Sequence, residues 1–198
     1  MSVDEEKQDL RRIAREGRSG WAKAAGDGAG EHLKENFLRI AKGSETLPGA
    51  SGIIAGFWPM ADEINVRPLI TGLHEDGREV ALPVIVGNAK PLIFRAWRPG
   101  LPLDDGGFGT RHPSPEEAEV QPSILLVPLL AFDAHGHRLG WGGGFYDRTI
   151  AQLRSLGPVV TVGVAYQAQR VDSVPHTNTD EPLNWMVTDG DVLEITRT

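Results

Sequence analysis

The chain predicts an α/β fold whose sheet is covered on both faces. Strand-length apolar runs alternate with amphipathic, helix-length segments along 198 residues, the pattern of helices returning over a mostly parallel sheet. A hydrophobic content of 40% and a charged content of 24% are those of a globular protein with a sizeable core. The run from Leu125 to Leu130 is apolar throughout, as a strand buried on both faces must be, and a glycine-dense segment follows it.

Taken in order, Asp4 to Arg15 reads as a helix with Leu10, Ile13 and Ala14 as a thin apolar stripe. Residues 17–30, rich in Gly and Ala, read as a loose connection. Glu31 to Lys42 is a second amphipathic helix with Leu33, Phe37, Leu38, Ile40 and Ala41 inward, stopped by Gly43. Ile53 to Trp58 is a buried strand ended by Pro59, and Val66 to His74 a short helix. Val80 to Val86 and Leu92 to Trp97 are strands. Residues 99–122, full of Pro, Gly and acid, are long for a structureless connection and read as a lid over a site or as a surface wrap. Strand Ile124 to Val127, the glycine loop, a helix from Phe145 to about Leu156, strand Val159 to Val164 and an edge strand Val192 to Ile195 complete the chain. No internal repeat divides it, so residues 1–198 are expected to form a single domain.

Several function classes are disfavoured at this level. The net charge of −7 offers no wide basic field for a nucleic-acid backbone. The absence of cysteine excludes disulfides, thiolate nucleophiles and sulfur-bound metals. The charged start has no signal-peptide core and no apolar run reaches bilayer length, so a cytoplasmic protein is expected, with no membrane partner and as a monomer or weak dimer. No His-Glu-x-x-His or Gly-x-Ser-x-Gly appears, and His135 and His137 read as exposed turn residues around Gly136.

The glycine loop carries the chemistry. Gly140, Gly142, Gly143 and Gly144 stand directly before a helix, where backbone N–H groups and the helix dipole favour an anion. The loop is neither a P-loop nor a dinucleotide fingerprint. A tight turn is the competing explanation, although one glycine would serve that purpose. Arg138 and Arg148 flank the loop and could clamp a phosphate, or lie solvated on the surface. Asp147, in the first helical turn, complements the dipole or ligates Mg²⁺, with Asp180 or Asp189 as a second carboxylate. Lys7 and Arg11, four apart, share a helix face and repel unless an anion lies between them. Trp58 with Glu63 offers an aromatic wall and an acceptor for an amidine-like edge, whereas Asp62 and Glu63 also suit the start of a helix.

The segment from Val127 to Arg148, with Phe132-Asp133, Gly136, Arg138-Leu139-Gly140, Gly142-Gly143-Gly144 and Tyr146-Asp147-Arg148, closely resembles the 5-formyltetrahydrofolate cyclo-ligase (5,10-methenyltetrahydrofolate synthetase) family. Lys7 with Leu10-Arg11, Trp58-Pro59 through Asp62-Glu63-Ile64, Leu82-Pro83, Phe94-Arg95, and Val174-Pro175 with Asp180 fall in the family's order. The resemblance implies a single three-layer α/β/α, Rossmann-like domain. It also implies ATP- and Mg²⁺-dependent conversion of 5-formyltetrahydrofolate to 5,10-methenyltetrahydrofolate. Lys7, Arg11, Arg138, Leu139, Gly140, Gly142, Gly143, Gly144, Phe145 and Tyr146 would hold ATP. Trp58, Glu63, Trp141 and Phe145 would contact folate, and Asp147 and Asp180 would hold Mg²⁺, with Arg138 and Asp147 closest to the chemistry. Trp141 stands where many members have a smaller aromatic or a basic residue, and His112-Pro113 where many have an acid before proline. A non-catalytic folate-, nucleotide- or RNA-binding module and a sugar-phosphate isomerase are the alternatives on a fold of this kind.

Overall fold

The computed structural model describes residues 1–43 and 52–196. An eight-stranded sheet runs in the order β12-β11-β10-β7-β1-β2-β3-β6. Its centre is parallel: β11 (Trp185–Thr188), β10 (Val160–Ala165), β7 (Ile124–Pro128), β1 (Ile54–Ala55) and β2 (Val80–Val84). The edges are antiparallel: β12 (Val192–Glu194) on one side, β3 (Ile93–Trp97) and β6 (Glu119–Val120) on the other.

Alternation along the strands builds two cores. On one face Ile54, Leu82, Ile124, Leu126, Val162 and Val164 pack with Leu33 and Phe37 of α2 (Ala29–Gly43) and Leu69, Ile70 and Leu73 of α3 (Arg67–Glu75). On the other, Ala55, Ala81, Phe94, Leu125 and Val127 pack with Ile150 and Leu153 of α4 (Phe145–Leu156). The expected three-layer arrangement with a mostly parallel sheet is what forms. Burial on both faces is why β7 carries no polar alternation.

Three elements depart from the sequence reading. The first helix, α1 (Val3–Ala25), runs through Gly17 and Gly20 and ends at Gly26. It starts on a capping box between Ser2 and Glu5. Trp21 lies against Gly17 so closely that a Cβ there would fall 2.5 Å from its ring, so this packing overrides glycine's low helix propensity. Its buried side chains include Lys7 and Arg18, so this helix turns cations inward. The 99–122 segment is built rather than structureless: β4 (Leu103–Asp105) and β5 (Arg111–Pro113) make a hairpin, and β6 joins the sheet. Finally β11, four buried residues wedged between Asn184 and Asp189, was too short a run to stand out.

After β7 the chain forms a small hairpin, β8 (Ala131–Phe132) and β9 (Arg138–Leu139), whose turn is organised by Asp133. Its carboxylate, 1% exposed, accepts the His135 N–H at 2.9 Å, the His137 N–H at 3.1 Å and the Val174 N–H at 3.0 Å. His137 Nδ1 lies 3.0 Å away, and its ring stacks on His176 at 3.6 Å. His137 is therefore a partly buried structural side chain and not the exposed turn residue expected from sequence. Burial alone would raise the Asp133 carboxyl, but these hydrogen bonds outweigh it and hold the group below the usual range.

Replacement Asp133→Ala is expected to lower stability by about 3 kcal/mol in urea unfolding, because buried donors lose their acceptor. A depressed folded-state pKa stabilises above the ordinary carboxylate value and ceases to do so as pH falls through the folded value. Asp133→Asn should therefore flatten the acid limb of the stability curve relative to wild type.

Candidate active site

Beyond β9, residues Gly140 to Gly144 lead into α4. Gly142 (φ 103°) and Gly144 (φ 62°) hold left-handed conformations that strain any side chain, and a Cβ at Gly144 would lie 2.7 Å from Arg148 Nη1. Residues 141–143 are exposed, and no side chain caps the helix N-terminus at Gly144. The loop is thus exposed and leads into a helix N-terminus without a side-chain cap, the setting in which first-turn N–H groups suit an anion. Arg148 curls back to donate to the Gly143 carbonyl at 2.7 Å and lies over the Phe145 ring.

Two acid–base pairs stand beside the loop. Lys7 Nζ meets Asp180 Oδ2 at 2.6 Å, and that oxygen also accepts the Thr177 N–H at 2.6 Å and hydroxyl at 3.0 Å. Burial pushes the Asp180 carboxyl up, but Lys7 and Thr177 together hold it below the usual range. Arg11 Nε donates to the Gly140 carbonyl at 3.0 Å, which pins α1 to the loop. Burial and the neighbouring Arg15 lower the Arg11 guanidinium, with Asp180 acting in the opposite direction. The second pair is Arg138 Nη2 with Asp147 Oδ1, 2.6 Å apart. Arg138 Nη1 donates to the Glu181 carbonyl, and the Glu181 N–H donates to Asp147 Oδ1 at 3.1 Å.

This geometry alters the task of Arg138. Its side chain is 4% exposed and both arms of its fork are engaged, so it is neither a solvated arginine nor an open phosphate clamp. It orients Asp147 instead. The Asp180–Glu181 segment comes directly against Asp147, an approach that 33 residues of intervening sequence concealed. Asp189 does not join them; it follows β11 and accepts the Gln167 N–H.

A divalent ion fits this donor set. One oxygen of each aspartate is engaged, while Asp147 Oδ2 and Asp180 Oδ1 accept no hydrogen bond among the described residues. No group of three or more ligating side chains occurs among the described residues, so the remaining positions would fall to phosphate oxygens and water, as is common for Mg²⁺.

Among the residues expected on the folate side, Trp141 meets Glu63. Its carboxylate, 6% exposed, accepts the Met60 N–H at 2.9 Å and the Trp141 indole N–H at 3.3 Å. Because α3 begins at Arg67 with Val66 at its cap, neither Asp62 nor Glu63 starts that helix, and the capping explanation falls away. Burial raises the Glu63 carboxyl. Tyr146 links the two halves: its phenol, raised by burial, feels both Glu63 and Arg138. Trp58 stands against Trp97 at 6.3 Å and beneath Arg67 at 5.3 Å.

Two residues escaped the sequence reading. Phe108, 73% exposed at the hairpin tip with φ 59°, reaches Phe145, ring centroids 6.0 Å apart. A lone aromatic within Gly106-Gly107-Phe108-Gly109 was the available signal. Arg18 lies beneath Trp141, and helical spacing from Lys7 through Arg11 and Ala14 would have placed it on the buried face had α1 been extended.

The sequence model of the 5-formyltetrahydrofolate cyclo-ligase family matches residues 4–189. The chain belongs to that family. The 5-formyltetrahydrofolate cyclo-ligase of Haemophilus influenzae is 38% identical over 135 residues, covering 66% of this chain and 72% of that protein. The Escherichia coli protein of the same name is 35% identical over 146 residues, covering 71% and 80%. The fold matches the 5,10-methenyltetrahydrofolate synthetase of Aquifex aeolicus with a TM-score of 0.68 at 24% identity, over 100% of this chain and 95% of that one. The synthetase of Mycoplasma pneumoniae matches at 0.64 and 18% identity, over 96% and 99%.

In this cyclo-ligase family member, Lys7→Met is expected to raise the Asp180 carboxyl toward its ordinary value. The depressed pKa stabilises above the unfolded carboxylate value and stops doing so as pH falls through the folded one. The urea midpoint of the variant should therefore fall at neutral pH, with the difference from wild type shrinking in acid.

Proposed function

We propose that the chain catalyses the ATP- and Mg²⁺-dependent conversion of 5-formyltetrahydrofolate to 5,10-methenyltetrahydrofolate. The formyl oxygen takes the γ-phosphoryl group, N10 attacks the activated carbon and loses its proton, and phosphate departs with the former formyl oxygen. What supports this reading is the convergence of Lys7, Arg11, Asp147 and Asp180 on an open glycine loop, in a chain that matches the family from residue 4 to 189.

The weakly nucleophilic formyl oxygen needs positioning and charge stabilisation more than a strong base. The N–H groups from Gly142 to Tyr146, with Leu139 and Gly140 before them, would face the nucleotide phosphates. Lys7 and Arg11 stand beside that loop as the cations for the same tail. Asp147 and Asp180 would hold Mg²⁺, which would neutralise phosphate charge and orient the transferred group. Arg138 keeps Asp147 in place. Glu63 would accept the donor edge of the folate head, with Trp58, Trp141 and Phe145 as apolar walls. Tyr146, between Glu63 and Arg138, sits where the two substrates would meet.

The alternatives are less well supported. Neither a binding module nor a sugar-phosphate isomerase calls for two carboxylates beside an open anion loop, and the named relatives are cyclo-ligases. No helix among the described residues is long and apolar enough to cross a membrane. We place the enzyme in the cytoplasm as one catalytic unit, a monomer or weak dimer without nucleic-acid or membrane partners.

Purified protein with 5-formyltetrahydrofolate and MgATP should give the methenyl chromophore, and no ATP-dependent absorbance at high enzyme concentration would refute the assignment. Asp147→Asn should lower kcat roughly 100-fold with an unchanged circular dichroism spectrum. Glu63→Gln should chiefly raise the folate KM. Since burial raises Glu63, wild-type folate affinity should weaken with falling pH sooner than an ordinary glutamate would allow, and the Gln variant should lack that dependence.

A further inference from the structure

Arg18 is a buried cation whose ring and charge contacts leave its N–H donors unmet. Its side chain is 8% exposed, yet it makes no hydrogen bond among the described residues, and Nη1 is fully buried without a partner. A guanidinium has five N–H donors, and an unsatisfied buried one is destabilising. Its contacts are a long approach to Glu63 Oε1 at 3.9 Å and the face of Trp141, 4.6 Å from Cζ. A purely structural counter-ion for Glu63 would close to hydrogen-bond distance; this one stops short, beside the carboxylate that faces the site.

We propose that Arg18 is a specificity-determining residue that donates to the 4-oxo group of the folate head while Glu63 accepts its neighbouring N–H and NH₂ groups. The inference rests on the cyclo-ligase reading. A 2-amino-4-oxopyrimidine ring presents, along one edge, a carbonyl acceptor beside two donors. Its complement is one donor beside two acceptor oxygens, which is what Arg18 Nη1 next to the Glu63 carboxylate supplies. The cover over this pair is Trp141, 40% exposed and flanked by Gly140 and Gly142. Glycines on either side leave that backbone few steric barriers to swinging the indole aside. In its present position the Trp141 N–H stands on Glu63 Oε1 at 3.3 Å, where a ring N–H of the ligand would go. A side chain that merely supports Glu63 would not care what stands at position 4 of the ring; one that reads the carbonyl would.

The test is calorimetric titration with 5-formyltetrahydrofolate and with the same folate carrying a 4-amino group in place of the 4-oxo group, alongside the turnover assay. Wild type is expected to bind the oxo ligand at least tenfold more tightly. Arg18→Met should weaken the oxo ligand about 10- to 100-fold and the amino analogue less than threefold. Equal weakening of both ligands, or no discrimination by wild type, would overturn the proposal. Should Arg18→Met fail to fold, Arg18→Gln, which keeps N–H donors but drops the charge, is titrated in its place, and equal weakening of both ligands would again overturn the proposal. Turnover without discrimination removes Arg18 and leaves the cyclo-ligase reading intact, whereas no turnover and no binding of either folate removes both.

Discussion

Asp133 joins two chain segments that lie forty residues apart in sequence. One carboxylate closes the turn between β8 and β9 and also accepts the Val174 N–H. The first contact sets where β9 begins, at Arg138, with the glycine loop directly after it. The second anchors the stretch that continues to Asp180 and Glu181. With both segments tied to one buried group, the Glu181 N–H reaches Asp147 while Asp180, next to it in the chain, holds Lys7. A buried carboxylate is costly to isolate and inexpensive to hold once four donors converge on it, which makes it a rigid node.

The site that this node supports is assembled from charges that cancel in pairs. Lys7 faces Asp180, Arg138 faces Asp147, and Arg18 approaches Glu63. A chain of net charge −7 cannot attract a triphosphate through its overall field, so local cations must do so at short range. Under the proposed function the paired acids would supply oxygens for a divalent ion, so one set of carboxylates would serve stability and ligand binding. The strong pairs, at 2.6 Å, hold Asp180 and Asp147; the loose one, at 3.9 Å, holds Glu63.

Much of the architecture was legible because it rests on local or periodic signals. The α2, α3 and α4 helices, the central strands and the β12 edge strand follow from periodicity, Gly and Pro punctuation and run length. Errors occurred where tertiary contacts override local preference. Gly17 reads as a helix breaker until Trp21 packs on it, and β11 reads as loop until β10 pairs with it. Residues 99–122 look irregular because short hairpin strands with Gly and Asp carry no amphipathic stripe, yet β3 gives β6 a partner.

Sequence alone determined that this chain is an α/β protein, that Gly140 to Gly144 form a glycine-dense turn before a helix, and which acids and bases are available. Those conclusions need only neighbouring residues and their spacing, and the cyclo-ligase type followed from resemblance of those motifs to a known family. Tertiary structure decided which acid meets which base. It buried Arg138 against Asp147 when sequence left it open to phosphate, moved Glu63 away from helix capping, kept Asp189 apart from Asp147 and Asp180, and brought Phe108 to Phe145 and Arg18 to Trp141. Charge pairing depends on distances of a few ångströms between segments remote along the chain, and no local pattern encodes such distances.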